Sequence, residues 1–141
     1  MIVVTIPAYN EEKTIVSLIG RIHKVMRQNR YIYKILVVDD GSKDRTKEAA
    51  KKAGAVVYSH PINYGLAETF RTEIEKSLEM KADVIVHIDA DGQYKPEEIP
   101  KLLKEIKNGY DLVLGSRFRG TIEQMPIIKR IGNKAFSGVV S

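Results

Sequence analysis

The sequence predicts a single α/β domain in which a mostly parallel sheet lies between helices. Short runs of β-branched apolar residues alternate with longer amphipathic segments along the chain, which is the pattern of βαβ units. No internal repeat, low-complexity stretch or linker interrupts this alternation. The length of 141 residues and the hydrophobic content of 43% are sufficient for one buried core.

The first strand is predicted over residues 2–6, which are almost entirely apolar and rich in Val and Ile. A helix over residues 11–30 follows, because apolar side chains recur along it every three or four positions. Asn10 is the expected N-cap of this helix. Glu11 and Glu12 then lie in its first turn, where acidic side chains interact favourably with the helix dipole.

The second strand is predicted over residues 34–38 and ends in two adjacent aspartates and a glycine. Ser42 is expected to cap a short basic helix that reaches residue 53, and Gly54 is expected to end it. A third strand over residues 55–58 follows. A loop then leads to a third helix that ends near residue 80, and the turn residues of this loop are Pro61, Asn63 and Gly65.

The fourth strand begins at Val84 and is expected to be buried on both faces, because it is mostly β-branched as far as Ile88. It stops abruptly at two aspartates separated by one small residue. A fourth helix is predicted over residues 96–107, with Pro100 in or near its first turn and Gly109 after its end. A fifth strand over residues 111–114 and a weak helix over residues 127–139 complete the pattern.

Polar clusters follow four of the predicted strands. Parallel sheets bind ligands outside the carboxyl ends of their strands, so we expect these clusters to converge on one edge. Each cluster alone is also explained as a turn, a helix start or a surface cation. The clusters are residues 7–11, 39–42, 89–91 and 115–117.

The chemistry of this edge suits a nucleotide and a metal ion. Asp89 and Asp91 are two residues apart and can direct their oxygens to one point, where a hard divalent cation with phosphate ligands would relieve their repulsion. The aromatic face of Tyr9 and the carboxylate of Asp39 or Asp40 can hold a nucleobase. The alternative for the acidic pair is a plain turn with solvated carboxylates.

Composition excludes several other classes. The chain has no Cys, so a disulfide framework and a thiolate metal site are both excluded, and its three His residues show no zinc spacing. No apolar stretch is long enough to predict a transmembrane helix. Neither a P-loop nor a G-x-G-x-x-G sequence is present, which disfavours an NTPase of that class and a Rossmann dehydrogenase.

The net charge of +5 is concentrated at the end of the chain. Residues 117–141 contain five Lys or Arg against one Glu, whereas residues 1–116 are nearly balanced. Such a basic segment suits nucleic acid, anionic lipid or a phosphorylated substrate, and a solvated helix face is the alternative. Few aromatic residues accompany these cations, so we expect no nucleic-acid binding.

Five motifs together resemble a known family. They are IPAYNEE at 6–12, VVDDGSKDRT at 37–46, HPINYG at 60–65, HIDADGQYKPEEIPKLL at 87–103 and GSRF at 115–118. In order and spacing they are similar to family 2 glycosyltransferases of the GT-A fold. Within that family the likeness is greatest to polyprenyl- and dolichyl-phosphate hexosyltransferases such as the dolichol-phosphate mannosyltransferases, which MPIIKRIGNKAFS at 125–137 also resembles.

The resemblance implies an inverting, metal-dependent transfer of a hexose from a GDP- or UDP-sugar to a polyprenyl or dolichyl phosphate. It implies Mg²⁺ or Mn²⁺ as cofactor and action at the cytoplasmic face of a membrane. By position, the implied nucleotide contacts are Pro7, Tyr9, Glu11, Asp39, Asp40, Asp89 and Ala90, with Asp40 in a supporting role. The implied contacts of the metal ion and the diphosphate are Asp89, Asp91 and Gln93. The implied contacts of the acceptor phosphate are Arg117 and Arg130. Asp91 and Arg117 are the implied catalytic residues.

Two departures from the family pattern leave alternatives open. Glu68, Thr69 and Glu73 occupy positions where the family usually has small residues, although Arg71 is retained. The family's catalytic domain also continues beyond the length of this chain, so residues 1–141 are expected to be its N-terminal, nucleotide-sugar-binding part. A catalytically silent nucleotide-sugar-binding module is the main alternative. A receiver-like regulatory module is disfavoured, because the acidic pair follows the second strand instead of the first.

Overall fold

A computed structural model of the chain describes residues 1–115, in which a four-stranded sheet has helices on both faces. All the described strand pairs are parallel, as the sequence predicts. The elements are β1 (Ile2–Ala8), α1 (Ile15–Gln28), β2 (Tyr33–Asp39), α2 (Thr46–Lys52), β3 (Val56–Ser59), α3 (Leu66–Glu79), β4 (Val84–His87), a 3₁₀ helix (Pro96–Glu98) and α4 (Ile99–Lys107).

The strand order is β3-β2-β1-β4, so β1 lies between the two strands that lead to acidic clusters. Its last residue, Ala8, is opposite Asp39 at the end of β2. On its other side, Thr5 is opposite His87 at the end of β4. The register therefore brings both clusters to the same edge of the sheet.

The two faces of the sheet differ in chemistry. One face forms the main core with α1, α2 and α4, and α1 buries apolar side chains at helical spacing, as predicted: Ile15, Leu18, Ile19, Ile22, Val25 and Met26. The other face packs against α3 and contains a much smaller apolar cluster around Val3, Leu36 and Val38. The side chains that α3 buries are all polar, namely Thr69, Thr72, Glu73 and Ser77.

The predicted start of the first helix is wrong. Helix α1 begins at Ile15, with Thr14 at the N-cap position, and Asn10 does not cap it. Asn10 has a φ of 56° and binds a different loop, because its N–H donates to the Ser42 hydroxyl and its side-chain oxygen accepts from the Lys43 N–H. These long-range bonds hold the chain in a turn before the helix begins.

The predicted cap of the second helix is also wrong. Helix α2 begins at Thr46 and has Arg45 at its N-cap position. Ser42 is instead part of the turn after β2, where its N–H donates to the Asp39 carboxylate at 3.1 Å. The predicted end is confirmed, because Gly54 follows the helix with a φ of 96°.

The last two predicted strands differ from expectation. Strand β4 is an edge strand of the described sheet, and Val84 and Ile85 are only half-buried because one side of β4 has no neighbouring strand there. Residues 111–114 form no strand, because no described strand pairs with their backbone. The helix predicted over residues 127–139 lies outside the described residues. Within residues 1–115, none of the helices has the length and apolar character needed to cross a bilayer.

Candidate active site

The carboxyl ends of β1, β2 and β4 form the candidate site. Asp39 ends β2 beside Ala8, and the chain turns away immediately after both residues. Beyond β4, the Ile88 N–H donates to the Thr5 carbonyl at 3.0 Å, so this chain stays beside β1 for one more residue. Asp89 therefore leaves the sheet at the same edge as Asp39.

The loop after β1 (residues 9–12) and the loop after β2 (residues 42–46) are joined by hydrogen bonds, and we call them the paired loops. Besides the Asn10 bonds, the Glu12 N–H donates to Asp44 at 3.2 Å, and the Arg45 N–H donates to the Glu12 carboxylate at 3.0 Å. Because backbone N–H groups are engaged on both sides, the two loops form one rigid surface.

Thr46 is the centre of the paired loops. Its hydroxyl is fully buried, accepts from the Glu11 N–H at 2.7 Å and donates to the Asp44 carboxylate. Burial raises the pKa of the Asp44 carboxyl, but hydrogen bonds from Thr46 and from the Glu12 backbone outweigh burial and lower it overall. Sequence reasoning missed both residues, because their partners are more than 30 positions away.

Asp40 holds a third loop, residues 60–65, against the sheet. Its carboxylate accepts from His60 Nδ1 at 2.7 Å, from the Tyr64 N–H at 2.9 Å and from the Gly65 N–H at 2.8 Å. The other nitrogen of His60 accepts from the Thr72 hydroxyl at 2.9 Å, which links the loop to α3. The three donors from residues 60–65 therefore give the buried Asp40 carboxylate its partners within the protein itself.

Gly41 allows this third loop to approach the turn after β2. Its φ is 71°, and a side chain there would collide with the backbone of Ile62 and lie 2.7 Å from the Asn63 nitrogen. No residue with a Cβ fits this approach without displacement of the loop. The glycine after the two aspartates is therefore required by packing as well as by the turn.

The predicted nucleoside contacts lie together on the paired loops and the strand ends. Tyr9 exposes 43% of its surface, whereas Pro7 and Glu11 are half-buried. Asp39 is 3% exposed, and one of its oxygens accepts from the Ser42 N–H. This arrangement combines an accessible ring with a carboxylate that is shielded from solvent.

The predicted metal contacts lie in the turn after β4. Asp89 is half-buried, Asp91 is exposed, and the Gln93 N–H donates to Asp91 Oδ1 at 2.9 Å. Ala90 between them is buried in the main core, so its backbone is the part that a nucleotide could contact. Gly92 has a φ of 73°, which a sharp turn at this point requires.

The donor set in this turn fits a hard divalent cation, because Mg²⁺ and Mn²⁺ prefer oxygen ligands and often use one or two carboxylates. Within residues 1–115, no three His, Asp or Glu side chains gather into a closed metal cage. These residues therefore fit an open site, in which a bound ligand would complete the coordination of the cation.

Two side chains, Glu73 and His87, form a hydrogen-bonded pair beside Asp89. Glu73 on α3 is fully buried and accepts from His87 Nδ1 at 2.9 Å, and His87 Nε2 lies 3.2 Å from Asp89 Oδ1. The Glu73 carboxylate raises the pKa of His87, and burial raises the pKa of Glu73 itself. The His87 imidazole therefore lies between a buried carboxylate of α3 and one carboxylate of the candidate metal turn.

Sequence reasoning found the strand-end residues but not this pair. Glu73 stood out only as a departure from a family pattern, and His87 only as a histidine without zinc spacing. The available signal was the polar stripe at positions 69, 72, 73 and 77 of a predicted helix, which indicates a polar buried face. Arg117 and Arg130 lie outside the described residues.

Comparison with known proteins places these features among glycosyltransferases. The family model described as glycosyl transferase family 2 matches residues 3–137. An uncharacterized protein of Methanocaldococcus jannaschii is 42% identical over 94% of this chain and 54% of its own length. A dolichol-phosphate mannosyltransferase of Pyrococcus furiosus is 37% identical over 93% of this chain and 38% of its own length.

Solved structures give the same comparison for the fold. Glucosyl-3-phosphoglycerate synthase from Mycobacterium tuberculosis, in complex with Mn²⁺, UDP and phosphoglyceric acid, superposes with a TM-score of 0.60 and 31% identity. The match covers 75% of this chain and 38% of that one. The chain thus spans about half the length, or less, of these three proteins.

Proposed function

The chain belongs to glycosyl transferase family 2, and we propose that it transfers a hexose from a GDP- or UDP-sugar to a polyprenyl or dolichyl phosphate with inversion at the sugar. One observation carries the proposal: Asp39 and the turn with Asp89 and Asp91 leave the same sheet edge on the two sides of β1. The dolichol-phosphate specificity named for the Pyrococcus relative supports the acceptor class.

The nucleoside would bind at the paired loops. Tyr9 offers an exposed ring on which a base can stack, and Asp39 offers a shielded carboxylate that accepts from ring N–H groups. Pro7 and Glu11 complete this pocket. Asp40 contributes indirectly, because its carboxylate holds the loop of residues 60–65 and shapes the neighbouring wall.

The donor diphosphate would lie at the turn after β4. Asp89, Asp91 and Gln93 would hold a Mg²⁺ or Mn²⁺ ion there, with Asp91 as the principal ligand and the Ala90 backbone beside the nucleotide. When bound, the ion would supply positive charge to the diphosphate that leaves. The Mn²⁺ and UDP in the complex of the mycobacterial synthase support this cofactor class.

The reaction would form one bond and break one. An oxygen of the acceptor phosphate attacks the anomeric carbon, and the bond from that carbon to the donor diphosphate breaks, with its electron pair leaving on the diphosphate. A phosphate monoester is largely ionised at neutral pH, since its second pKa is about 6, so the attacking oxygen needs no general base. Attack from the face opposite the leaving group inverts the anomeric centre.

The acceptor side would use the basic segment that lies outside the described residues. Arg117 and Arg130 are the proposed contacts of the acceptor phosphate, because guanidinium groups bind phosphate oxygens in pairs. A lipid acceptor places the reaction at a membrane surface, and we propose its cytoplasmic face. A nucleotide-sugar-binding module without catalysis would bind the donor but fail to glycosylate a short polyprenyl phosphate.

The test is titration calorimetry of the chain with GDP and with UDP, each with and without MnCl₂. We expect metal to tighten nucleotide binding and nucleotide to tighten metal binding by the same factor, because the two ligands share one site. Asp91→Asn keeps the shape, removes the charge and should abolish this factor. Asp89→Asn should reduce it less. Asp39→Ala should weaken nucleotide binding by about 1.5–3 kcal/mol with or without metal.

Asp83→Asn is the matched control, since Asp83 is an exposed carboxylate at the opposite end of β4. It should leave both affinities unchanged. Nucleotide affinity that EDTA does not alter, or a full metal-dependent gain in the Asp91→Asn protein, would remove the turn after β4 from the donor site.

A further inference from the structure

We infer that His87, held by Glu73, positions the Asp89 carboxylate for the donor diphosphate and its metal ion. The inference rests on the proposed function, because it assigns a role at the same site. It adds two positioning residues, of which one is a fully buried side chain on α3. Neither residue needs to touch the donor, because both would act through Asp89.

The burial of Glu73 is the first observation. Burial of a carboxylate with no exposed surface destabilises the fold unless the carboxylate is paired, whereas an apolar residue at this position of α3 would carry no such cost. The pairing that Glu73 has is with His87, on the strand that leads to the candidate metal turn. Its other oxygen, Oε1, makes no hydrogen bond of good geometry among the described residues, although the nearby Thr5 hydroxyl acts to lower the pKa of Glu73. The packing of α3 alone therefore does not account for this residue.

The fixed orientation of His87 is the second observation. Its Nδ1 is bonded to Glu73 at 2.9 Å, its Nε2 lies 3.2 Å from Asp89, and its ring meets Phe70 edge-on with centroids 5.5 Å apart. Contacts at both nitrogens and on the ring restrict rotation about both side-chain torsions. The imidazole is therefore a rigid connection between the interior and the turn.

The third observation is the difference between the two aspartates of the turn. Asp91 is held locally, by the backbone N–H of Gln93 two residues away. Asp89 is contacted by a side chain of the preceding strand, whose position depends on α3. With Oδ1 engaged by His87, the second oxygen of Asp89 is the one available to a ligand. Loss of this bond would leave a carboxylate that must be ordered when the ligand binds.

The experiment measures the coupling factor, which we define as the nucleotide dissociation constant without MnCl₂ divided by the dissociation constant with MnCl₂. The nucleotide is UDP, or GDP if GDP binds more tightly. His87→Asn is the main variant. Its amide nitrogen can replace Nδ1 in the bond to Glu73, but the Asn side chain is too short to reach Asp89. Glu73→Gln is the second variant. We expect each to lower the coupling factor about tenfold, since loss of a partner that orients a metal ligand costs about 10- to 100-fold in metal affinity.

A double-mutant cycle separates positioning from a structural effect. Asp89→Asn should lower the coupling factor by itself, and the addition of Glu73→Gln should lower it no further if Glu73 acts through Asp89. A further decrease would assign Glu73 a structural role and overturn the inference. Nucleotide affinity without metal should be the same in His87→Asn as in the wild type.

His23→Gln is the matched control. His23 likewise has both nitrogens engaged, by the Tyr33 hydroxyl and the Ala53 carbonyl, but it lies beside the amino end of β2. This variant should keep the wild-type coupling factor, and thermal unfolding of every variant confirms that it folds. If the wild type shows coupling and the His87→Asn and Glu73→Gln proteins have the same coupling factor, this inference is overturned and the proposed function is not. A wild-type protein without coupling would overturn the proposed function with it.

Discussion

Asp39 is the last residue of β2 and Asp40 follows it directly, but the two side chains have different environments. Asp39 has one oxygen bonded to the turn that follows it, and it borders the pocket proposed for the nucleoside. Asp40 is turned to the other side, where three N–H donors from residues 60–65 converge on it. The alternation of side chains along a strand explains the division, since neighbours project to opposite faces. The bonds of Asp40 therefore serve the fold, whereas Asp39 makes a single bond to its own turn and is the residue that we propose for the nucleoside.

Asp40→Asn should destabilise the protein by about 2–5 kcal/mol, because it removes a charge to which three donors are bonded. Burial raises the pKa of the Asp40 carboxyl, but the bonds from His60, Tyr64 and Gly65 outweigh burial and hold it below its ordinary value of 3.8. A lowered folded-state pKa contributes stability that is fully present above the unfolded value and is lost as pH falls through the folded one.

Urea unfolding of Asp40→Asn and wild-type protein at several pH values measures this contribution. The difference in unfolding free energy should be constant near neutrality. It should shrink below about pH 4, where Asp40 of the unfolded chain takes up a proton while Asp40 of the folded protein is still ionised. Glu97→Gln is a control, since the ion pair of Glu97 with Arg21 is exposed and should contribute about 0.2–1 kcal/mol. An equal loss in both variants would contradict the role assigned to Asp40.

Among the elements, the short helix α2 joins the paired loops through its first residue. The seven-residue helix begins at Thr46, whose hydroxyl joins the loops after β1 and β2. Thr46→Val keeps the shape and removes the hydroxyl, so the Glu11 N–H and the Asp44 carboxylate each lose a partner. We expect a loss of about 1–3 kcal/mol in stability together with weaker nucleotide binding.

Calorimetry with GDP and UDP and thermal unfolding test this prediction on the same protein. Thr46→Ser is the matched control, because it keeps the hydroxyl that bonds the Glu11 N–H and the Asp44 carboxylate. It should keep the wild-type nucleotide affinity and lose less stability than Thr46→Val. Unchanged nucleotide affinity in Thr46→Val would mean that the paired loops do not support the nucleoside pocket.

The elements also show where inference from sequence succeeds and where it stops. The apolar period of α1 and the β-branched runs of β1 and β2 are local patterns, and they predicted these elements and their buried faces correctly. The starts of α1 and α2 were missed because side chains of the other paired loop bind the N–H groups that precede each helix. The absent strand at residues 111–114 is a failure of the same kind, since a strand depends on a neighbour and not on its own composition.

The sequence likewise predicted one part of the candidate site and missed another. Parallel topology predicted that the strand-end side chains share one edge, and the register of β1 with β2 and β4 confirms it for the clusters after these three strands. The fourth cluster, residues 115–117, follows no described strand and lies mostly outside the described residues. The pair of Glu73 and His87 was not predicted, because it depends on which face of α3 meets the sheet and on how far β4 extends beside β1. Neither quantity can be obtained from the spacing of residues along the chain.

For the whole molecule, the uneven charge predicts a partner surface. The basic excess lies in residues 117–141, outside the described residues, and a lipid-phosphate acceptor would bring this segment to an anionic membrane. We expect binding to vesicles that contain anionic lipid, weakened by salt, and none to zwitterionic vesicles or to nucleic acid. Sedimentation with vesicles and a gel-shift measurement at micromolar protein test this. Salt-sensitive binding to nucleic acid without binding to anionic vesicles would contradict it.

The polar face of α3 has a consequence for the motions of the protein. The helix buries Thr69, Thr72, Glu73 and Ser77 but leaves Leu66 and Leu78 69% and 62% exposed, so little apolar surface keeps it on the sheet. Regions with few apolar contacts open at lower free energy than the global unfolding. Deuterium should therefore replace the amide protons of α3 well before those of α1, and a bound donor that engages Asp89 should slow this replacement through His87 and Glu73. Mass spectrometry after timed exposure to heavy water would measure both rates, and equal protection of the two helices would show that the polar layer holds α3 as firmly as a hydrophobic core holds α1.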